Sequence, residues 1–407
     1  MIKAFLASFL LVILAVVVNV ATGAEAQNKP DAVPGQYIVV LKDDVTSPRD
    51  VASEMAKSHG LSPEHVYETA LKGFSATIPA ARLEKVKQDP RVEFVSEDNV
   101  VTTAAQTLPT GINRVDAELN SNTGTGIGVA VIDTGIDLKH PDLKSNLLGG
   151  KNCVKTFRNP NDDNGHGTHV AGTVAALSNT QGVVGVASQA KLIPVKVLSA
   201  AGSGTWSQVI CGIDYVTANT SRYNIKVVNM SLSGGGSSDN NCGNTNADAL
   251  HKAICKSRDA GITYVVAAGN SGANSSGNVP AAYDDAVITV SALNDSDGQA
   301  GGIGLANAYG ADDTFPSWSN YGSVVDLAAP GVNIFSTWRS SSYKTISGTS
   351  MAAPHVSAAA ALYIKSNPGA TWIQVKNGLT AAAEALGGGH TDPSGLHPEP
   401  VLKANSL

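Results

Sequence analysis

The chain has 407 residues, of which 43% are hydrophobic, only 15% are charged and 41 are glycines. That length allows two or three domains, or one large α/β domain with additions, and the composition excludes a disordered chain. Net charge is −6; from Ala105 onward 18 basic against 21 acidic residues leave −3 without a basic run, so no nucleic-acid partner is expected.

The first element has the pattern of a secretory leader. Lys3 supplies a positive start, Ala4 to Val18 is apolar, and Asn19 ends the run. Ala24-Glu25-Ala26 then places small residues at the two positions a signal peptidase reads. A membrane anchor is the alternative, since the apolar stretch lengthens if Asn19 is passed over. The Ala-x-Ala site just beyond it favours removal. Residues 1–26 are therefore expected to be cleaved from a secreted, extracellular chain, with no membrane span after them.

Residues 33–103 are charged, cysteine-free and nearly glycine-free. Strands are predicted at Gln36–Leu41, Phe74–Pro79 and Val92–Glu97, and helices at Val51–His59 and Ala81–Gln88. Together they suggest a small βαββαβ-like, α+β (ferredoxin-like) module. The polar stretch Asn99–Ala105 follows it, and composition changes near residue 104.

From Gly126 onward, apolar β-branched runs alternate with helical stretches. Strands are predicted at Ile127–Ile132, Leu192–Leu198, Val227–Met230, Thr263–Ala267 and Val287–Val290. Helices are predicted at His166–Leu177, Ser207–Ala218, Asn246–Asp259 and Ser350–Asn367. This alternation predicts a three-layer α/β/α fold around a mostly parallel sheet. Cys153, Cys211, Cys242 and Cys255 all lie in this part, and three pairings are possible. Cys242–Cys255, which closes a short loop leading into a helix, is preferred; that leaves Cys153–Cys211. Without a C-x-x-C spacing, a zinc site is a poor reading.

Three segments carry the residue types of acyl transfer. A serine hydroxyl needs an imidazole to take its proton, and a carboxylate to orient that imidazole. Asp133 ends the apolar run Val129–Ile132, where ligands gather in open α/β sheets, although Asp-Thr-Gly is also a common turn. His166 opens a helix flanked by Gly165 and Gly167, which suggests close approach by a backbone or a substrate. The rival reading, a metal bound by His166 and His169, lacks the acidic partner of H-E-x-x-H. Ser350 starts an alanine-rich helix, where its own N–H can face an oxyanion, although a plain N-cap serine is common there. Ala352 stands where the nucleophile elbow of α/β-hydrolases needs glycine.

Taken together, Val129-Ala-Val-Ile-Asp133-Thr-Gly, His166-Gly-Thr-His-Val-Ala-Gly-Thr173 and Gly348-Thr-Ser-Met-Ala-Ala-Pro-His355 resemble the subtilase family. The order Asp, His, Ser is that of subtilisin. The resemblance runs almost continuously from about Ala105 to about Pro368. It implies a secreted serine endopeptidase acting as a monomer on protein and peptide substrates. Asp133 would orient the base, His166 would be general base and acid, and Ser350 the nucleophile. Asn270, closing Val265-Val-Ala-Ala-Gly-Asn270, would complete the oxyanion hole. Residues 27–104 would be an inhibitory propeptide, removed by self-cleavage near Ala104–Ala105, and 105–407 the peptidase domain.

The same resemblance implies a peptide bound as an added strand between two glycine-rich edges. Those edges are Gly202, Ser203 and Gly204 on one side and Ser231, Leu232, Ser233 and Gly234 on the other, with Ala267 and Gly269 nearby. Trp206 would flank the outer pocket. No acidic residue stands at the expected base of the primary pocket, so apolar or aromatic side chains are expected before the scissile bond. A structural calcium would be held by Gln106, Asp142 and Asn179 with carbonyls of Leu177, Gln181 and Val183. Asn294-Asp-Ser-Asp-Gly298 also resembles a calcium loop but lacks the distal glutamate, and Gln299–Phe315 looks like an insertion relative to compact family members. A serine esterase and a peptide-binding homologue without activity are the alternatives.

Overall fold

The computed structural model describes residues 32–99 and 105–407. The expected signal segment, with its cleavage site, lies outside the described residues. The chain divides into two compact units, one reaching to Thr103 and the other beginning at Ala104.

The first unit runs β1 (Ala32–Leu41), α1 (Pro48–His59), β2 (Ser62–Tyr67), β3 (Gly73–Thr77), α2 (Ala80–Lys87) and β4 (Val92–Asn99). Its antiparallel sheet has the order β2-β3-β1-β4. β2 is the strand that periodicity did not predict. Its sequence, Ser-Pro-Glu-His-Val-Tyr, is exposed over its first four residues and lies at the sheet edge, where proline is tolerated. One side of the sheet buries Val39, Leu41, Phe74 and Ala76 against Val51, Met55 and Val86 of the helices. The Ser47 side chain caps α1, and Gly60, left-handed at φ 67°, ends it.

The second unit contains β5 (Gly128–Asp133), β6 (Lys151–Asn152), α3 (His166–Ala175), β7 (Lys191–Lys196), α4 (Trp206–Ala218), β8 (Ile225–Met230) and α5 (Ala249–Asp259). β9 (Thr263–Ala267), β10 (Ile288–Leu293), β11 (Leu327–Pro330), the hairpin β12 (Ile334–Trp338) and β13 (Ser342–Ile346), α6 (Thr349–Ser366) and α7 (Trp372–Ala382) follow. A seven-stranded sheet runs β11-β10-β9-β8-β5-β7-β6, parallel at every pairing. Both faces are buried, so the strands read as continuous apolar runs. In β5, Val129 and Val131 join a core with α3 and α6, whereas Ala130 and Ile132 join a second core with α4 and α5. Each fully buried valine or isoleucine there contributes about 1.5–3 kcal/mol.

Two disulfides, Cys153–Cys211 and Cys242–Cys255, brace the second core, in the expected pairing. Several element ends differ from the sequence pattern. The helix expected from Asn246 begins at Ala249, because the Asp248 carboxylate accepts the Leu250 and His251 N–H groups and caps it. β8 starts at Ile225 and β10 ends at Leu293. No helix among the described residues is long and apolar enough to cross a membrane.

Candidate active site

Asp133 is the last residue of β5 and is fully buried, at the carboxyl edge of the parallel sheet. His166 is the first residue of α3. Its Nδ1 lies 2.9 Å from both Asp133 carboxylate oxygens, while a quarter of its side chain stays exposed. The Thr134 N–H donates to Asp133 Oδ1 at 2.6 Å, fixing the carboxylate. Burial opposes protonation of the His166 ring, but the charge and hydrogen bond of Asp133, with Asp162 further off, outweigh it and hold the imidazole above its ordinary value of 6.5.

Glycines make this approach possible. A Cβ at Gly167 would sit 2.2 Å from the Gly135 carbonyl and 3.1 Å from Asp133 Oδ1, and one at Gly165 would enter the Trp338 ring. His169, one turn along, donates its Nε2–H to the Ile334 and Lys344 carbonyls, and burial lowers its pKa to about 3. It is a neutral ring locked onto the β12–β13 hairpin and does not share a ligand position with His166.

Ser350 is the second residue of α6. Its carbonyl accepts the Ser231 hydroxyl at 2.8 Å, and its Oγ makes a long 3.4 Å bond to the Ser231 carbonyl rather than to His166. Pro354, four residues on, has no N–H to give the Ser350 carbonyl, which is why that oxygen is free for Ser231. Catalytic hydrogen bonds of this kind are often loose before substrate binds. The Asn270 amide oxygen accepts the Thr349 N–H at 2.8 Å and its hydroxyl at 3.0 Å. Its Nδ2 is thereby turned away from Thr349. A Cβ placed on Gly348 would lie 3.5 Å from Asn270 Nδ2 and 3.7 Å from the Ser350 nitrogen, so both donors border one small space.

Beside these groups lies a cleft of about 820 Å³ lined by His166, Gly202, Ser203, Gly204 and the run Ser231–Gly234. Leu198, Trp206 and Val209 form apolar wall, and no charged residue lines it apart from the histidine. Both expected glycine-rich edges therefore face one space. Ala267 and Gly269 are not part of this lining; Ala267 is buried, and Gly269 packs against Asn320.

The sequence model of the subtilase family matches residues 124–395. The chain is a subtilase. A second match, to the peptidase inhibitor I9 family, covers residues 36–104. The alkaline protease of Alkalihalobacillus alcalophilus is 40% identical over 83% of this chain and 82% of that protein. Subtilisin NAT of Bacillus subtilis subsp. natto is 39% identical over 86% of each. A crystal structure of a cold adapted subtilisin-like serine proteinase superposes with a TM-score of 0.59 at 34% identity, covering 74% of this chain and 99% of that one. This subtilase is a serine endopeptidase built with an inhibitor-type propeptide.

Sequence reasoning missed several residues that hold the subtilase site. Asp162 is buried and gathers the N–H groups of Asn164, Gly165 and Thr168 together with the Thr168 hydroxyl, anchoring the start of α3. Within Asn-Asp-Asp-Asn it reads as loop polarity, and only its place before the helix start signals a cap. Lys196 is buried and ties the Thr134 and Leu198 carbonyls together at 2.7 Å each. A buried relay runs from the Ser357 hydroxyl to Asn229 and from the Asn229 amide to Ser231, ending at the Ser350 carbonyl.

All six residues expected at a calcium site in the subtilase come together. Gln106 Nε2 lies 2.6 Å from the Leu177 carbonyl, 3.1 Å from that of Gln181, 2.9 Å from that of Val183 and 3.5 Å from Asn179 Oδ1. Asp142 accepts from Asn179 Nδ2 at 3.1 Å and from the Val183 N–H at 3.0 Å. One amide thus sits amid four oxygens with a carboxylate alongside. With the Gln106 amide turned so that its oxygen faces this ring, the set at this tight loop would be all oxygen, the chemistry a calcium ion requires, so the residues fit the ion.

Proposed function

We propose that Asp133, His166, Ser350 and Asn270 carry the endopeptidase chemistry of this subtilase. His166 Nε2 takes the proton of Ser350 Oγ as that oxygen bonds to the scissile carbonyl carbon. Asp133 holds the imidazole with Nδ1–H toward it and balances the positive charge that forms. The carbonyl oxygen, now an anion, receives hydrogen bonds from Asn270 Nδ2 and the Ser350 N–H. Breaking the C–N bond returns the proton from His166 to the leaving amine and leaves an acyl-enzyme at Ser350. A water then repeats the sequence and releases the acid.

The observation that carries this reading is the His166–Asp133 clasp at 2.9 Å, with the Asn270 amide oxygen already tied to Thr349 next to Ser350. The substrate lies extended between Gly202–Gly204 and Ser231–Gly234, and the uncharged cleft wall supports a preference for apolar or aromatic residues. The mature enzyme begins near Ala105 after self-cleavage, works as an extracellular monomer, and keeps one calcium at Gln106, Asp142 and Asn179. When bound, that ion supplies charge that fixes the 177–183 loop; it takes no part in the chemistry.

Labelling with phenylmethylsulfonyl fluoride tests the assignment. The expected result is loss of casein hydrolysis with one sulfonyl group on the peptide containing Ser350. A label elsewhere, or an active Ser350→Ala variant, would overturn it. Rates on peptide amides far above those on simple long-acyl esters separate the endopeptidase from the esterase reading.

A further inference from the structure

The chain after β10 continues as Asn294-Asp-Ser-Asp-Gly298 and then as the inserted segment 299–315. Asp295, Asp297 and Asp312 from these two stretches each offer a carboxylate oxygen, and the three oxygens lie within 4.8 Å of one another. Asp295 and Asp312 are buried, at 3% and 4% exposure. Carboxylates held this close in a low-dielectric site repel strongly unless a cation lies between them.

The unmet demand is visible at single atoms. Asp295 Oδ1 accepts the Gly298 N–H at 2.9 Å, but its Oδ2 is buried without any hydrogen-bond partner. The Ser296 hydroxyl next to it is buried and unpartnered as well. A Cβ on Gly304 would lie 2.3 Å from Ser296 Oγ and 2.8 Å from Asp312 Oδ2, which places that hydroxyl beside the Asp312 carboxylate. Among the described residues no lysine or arginine forms an ion pair with Asp295, Asp297 or Asp312. The buried guanidinium of the region, Arg114, is taken by Asp313 and Glu384.

We propose that Asp295, Asp297 and Asp312, with the Ser296 hydroxyl, bind a calcium ion that fastens the 299–315 segment to the end of β10. The donors are oxygens only, with no imidazole or thiolate, which selects a hard cation. Asp312 is already oriented by the N–H groups of Ser296 at 2.7 Å and Gly304 at 2.8 Å, so the ion joins the 294–298 loop to the later part of the segment. The other cluster with metal-ligand residues, Cys242, His251, Cys255 and Asp285, cannot serve in the same way, because its sulfurs form a disulfide.

The test counts calcium on the mature enzyme, inactivated at Ser350 by phenylmethylsulfonyl fluoride, after equilibrium dialysis at a fixed free calcium concentration. Asp295→Asn and Asp297→Asn are each expected to hold one ion fewer than the parent. Asp297 is partly exposed, so its variant keeps the count interpretable if Asp295→Asn folds poorly. Asp142→Asn reports on the Gln106 site separately, and a double Asp142→Asn/Asp297→Asn variant should hold two fewer. Chymotrypsin supplies a second readout, since Leu305 is 86% exposed within the segment. In the Asp142→Asn background, chelation should speed cleavage between 299 and 315 at least tenfold, and Asp297→Asn should abolish that calcium dependence. An unchanged calcium count in Asp297→Asn, or cleavage indifferent to calcium in the Asp142→Asn background, would overturn the proposal.

Discussion

In the proposed mechanism two side chains set the chemistry, and each makes a measurable demand. His166 must be neutral to accept the Ser350 proton, and Asp133 holds its pKa above the ordinary 6.5 despite burial. The acid limb of kcat/KM is therefore expected to have its midpoint above pH 6.5, because protonation removes the base. A limb centred below that value would contradict the clasp. Asn270 is exposed and spends its oxygen on Thr349, which leaves the amide nitrogen free for the proposed oxyanion role. Asn270→Ala should lower kcat by 100- to 1000-fold, about 3–4 kcal/mol, with KM nearly unchanged. A loss confined to KM would assign Asn270 to ground-state binding instead.

At the scale of elements, the long apolar strands and the helices starting at His166 and Ser350 were legible, because periodicity, caps and glycines all pointed the same way. β11 was not. Leu-Ala-Ala-Pro is four residues long, ends in proline, and is a strand only because β10 lies beside it. The β12–β13 hairpin was also missed, although it clamps α3 through Ser336 and Thr337 on the His169 and Thr168 carbonyls. The acidic loop at Asn294–Gly298 was legible only in part. The third carboxylate beside it, Asp312, is brought back by the 299–315 segment rather than by a fixed spacing. Disulfide cross-links also belong to this scale. Cys153–Cys211 spans 58 residues and Cys242–Cys255 spans 13. Loop-closure entropy gives about 4 and about 3 kcal/mol respectively, so Cys153→Ser/Cys211→Ser should lower the thermal midpoint more than Cys242→Ser/Cys255→Ser. The opposite ranking in thermal unfolding of the inactivated enzyme would show that strain or residual structure dominates.

For the whole molecule, a buried ionic hub joins distant parts of the peptidase unit. Arg114, near the start of that unit, is fully buried between Asp313 and Glu384. Burial opposes ionisation of Glu384, but hydrogen bonds from His390 and Arg114 outweigh it and bring the carboxyl down to about 2 from an ordinary 4.5. A depressed carboxyl stabilises the fold fully above its unfolded value, and that contribution is lost as pH falls from 4.5 toward about 2. Over this window the thermal midpoint of Glu384→Gln should change less than that of the parent; equal slopes would remove Glu384 from the acid response. The proposed triad, the inhibitor-type propeptide and the loops proposed to hold calcium together describe a protease that matures by its own action. N-terminal sequencing of the secreted protein beside its Ser350→Ala counterpart tests that claim most directly. The parent should begin near Ala105, and the variant should remain joined to its propeptide. A purified Ser350→Ala protein that still matures to Ala105 would contradict the account.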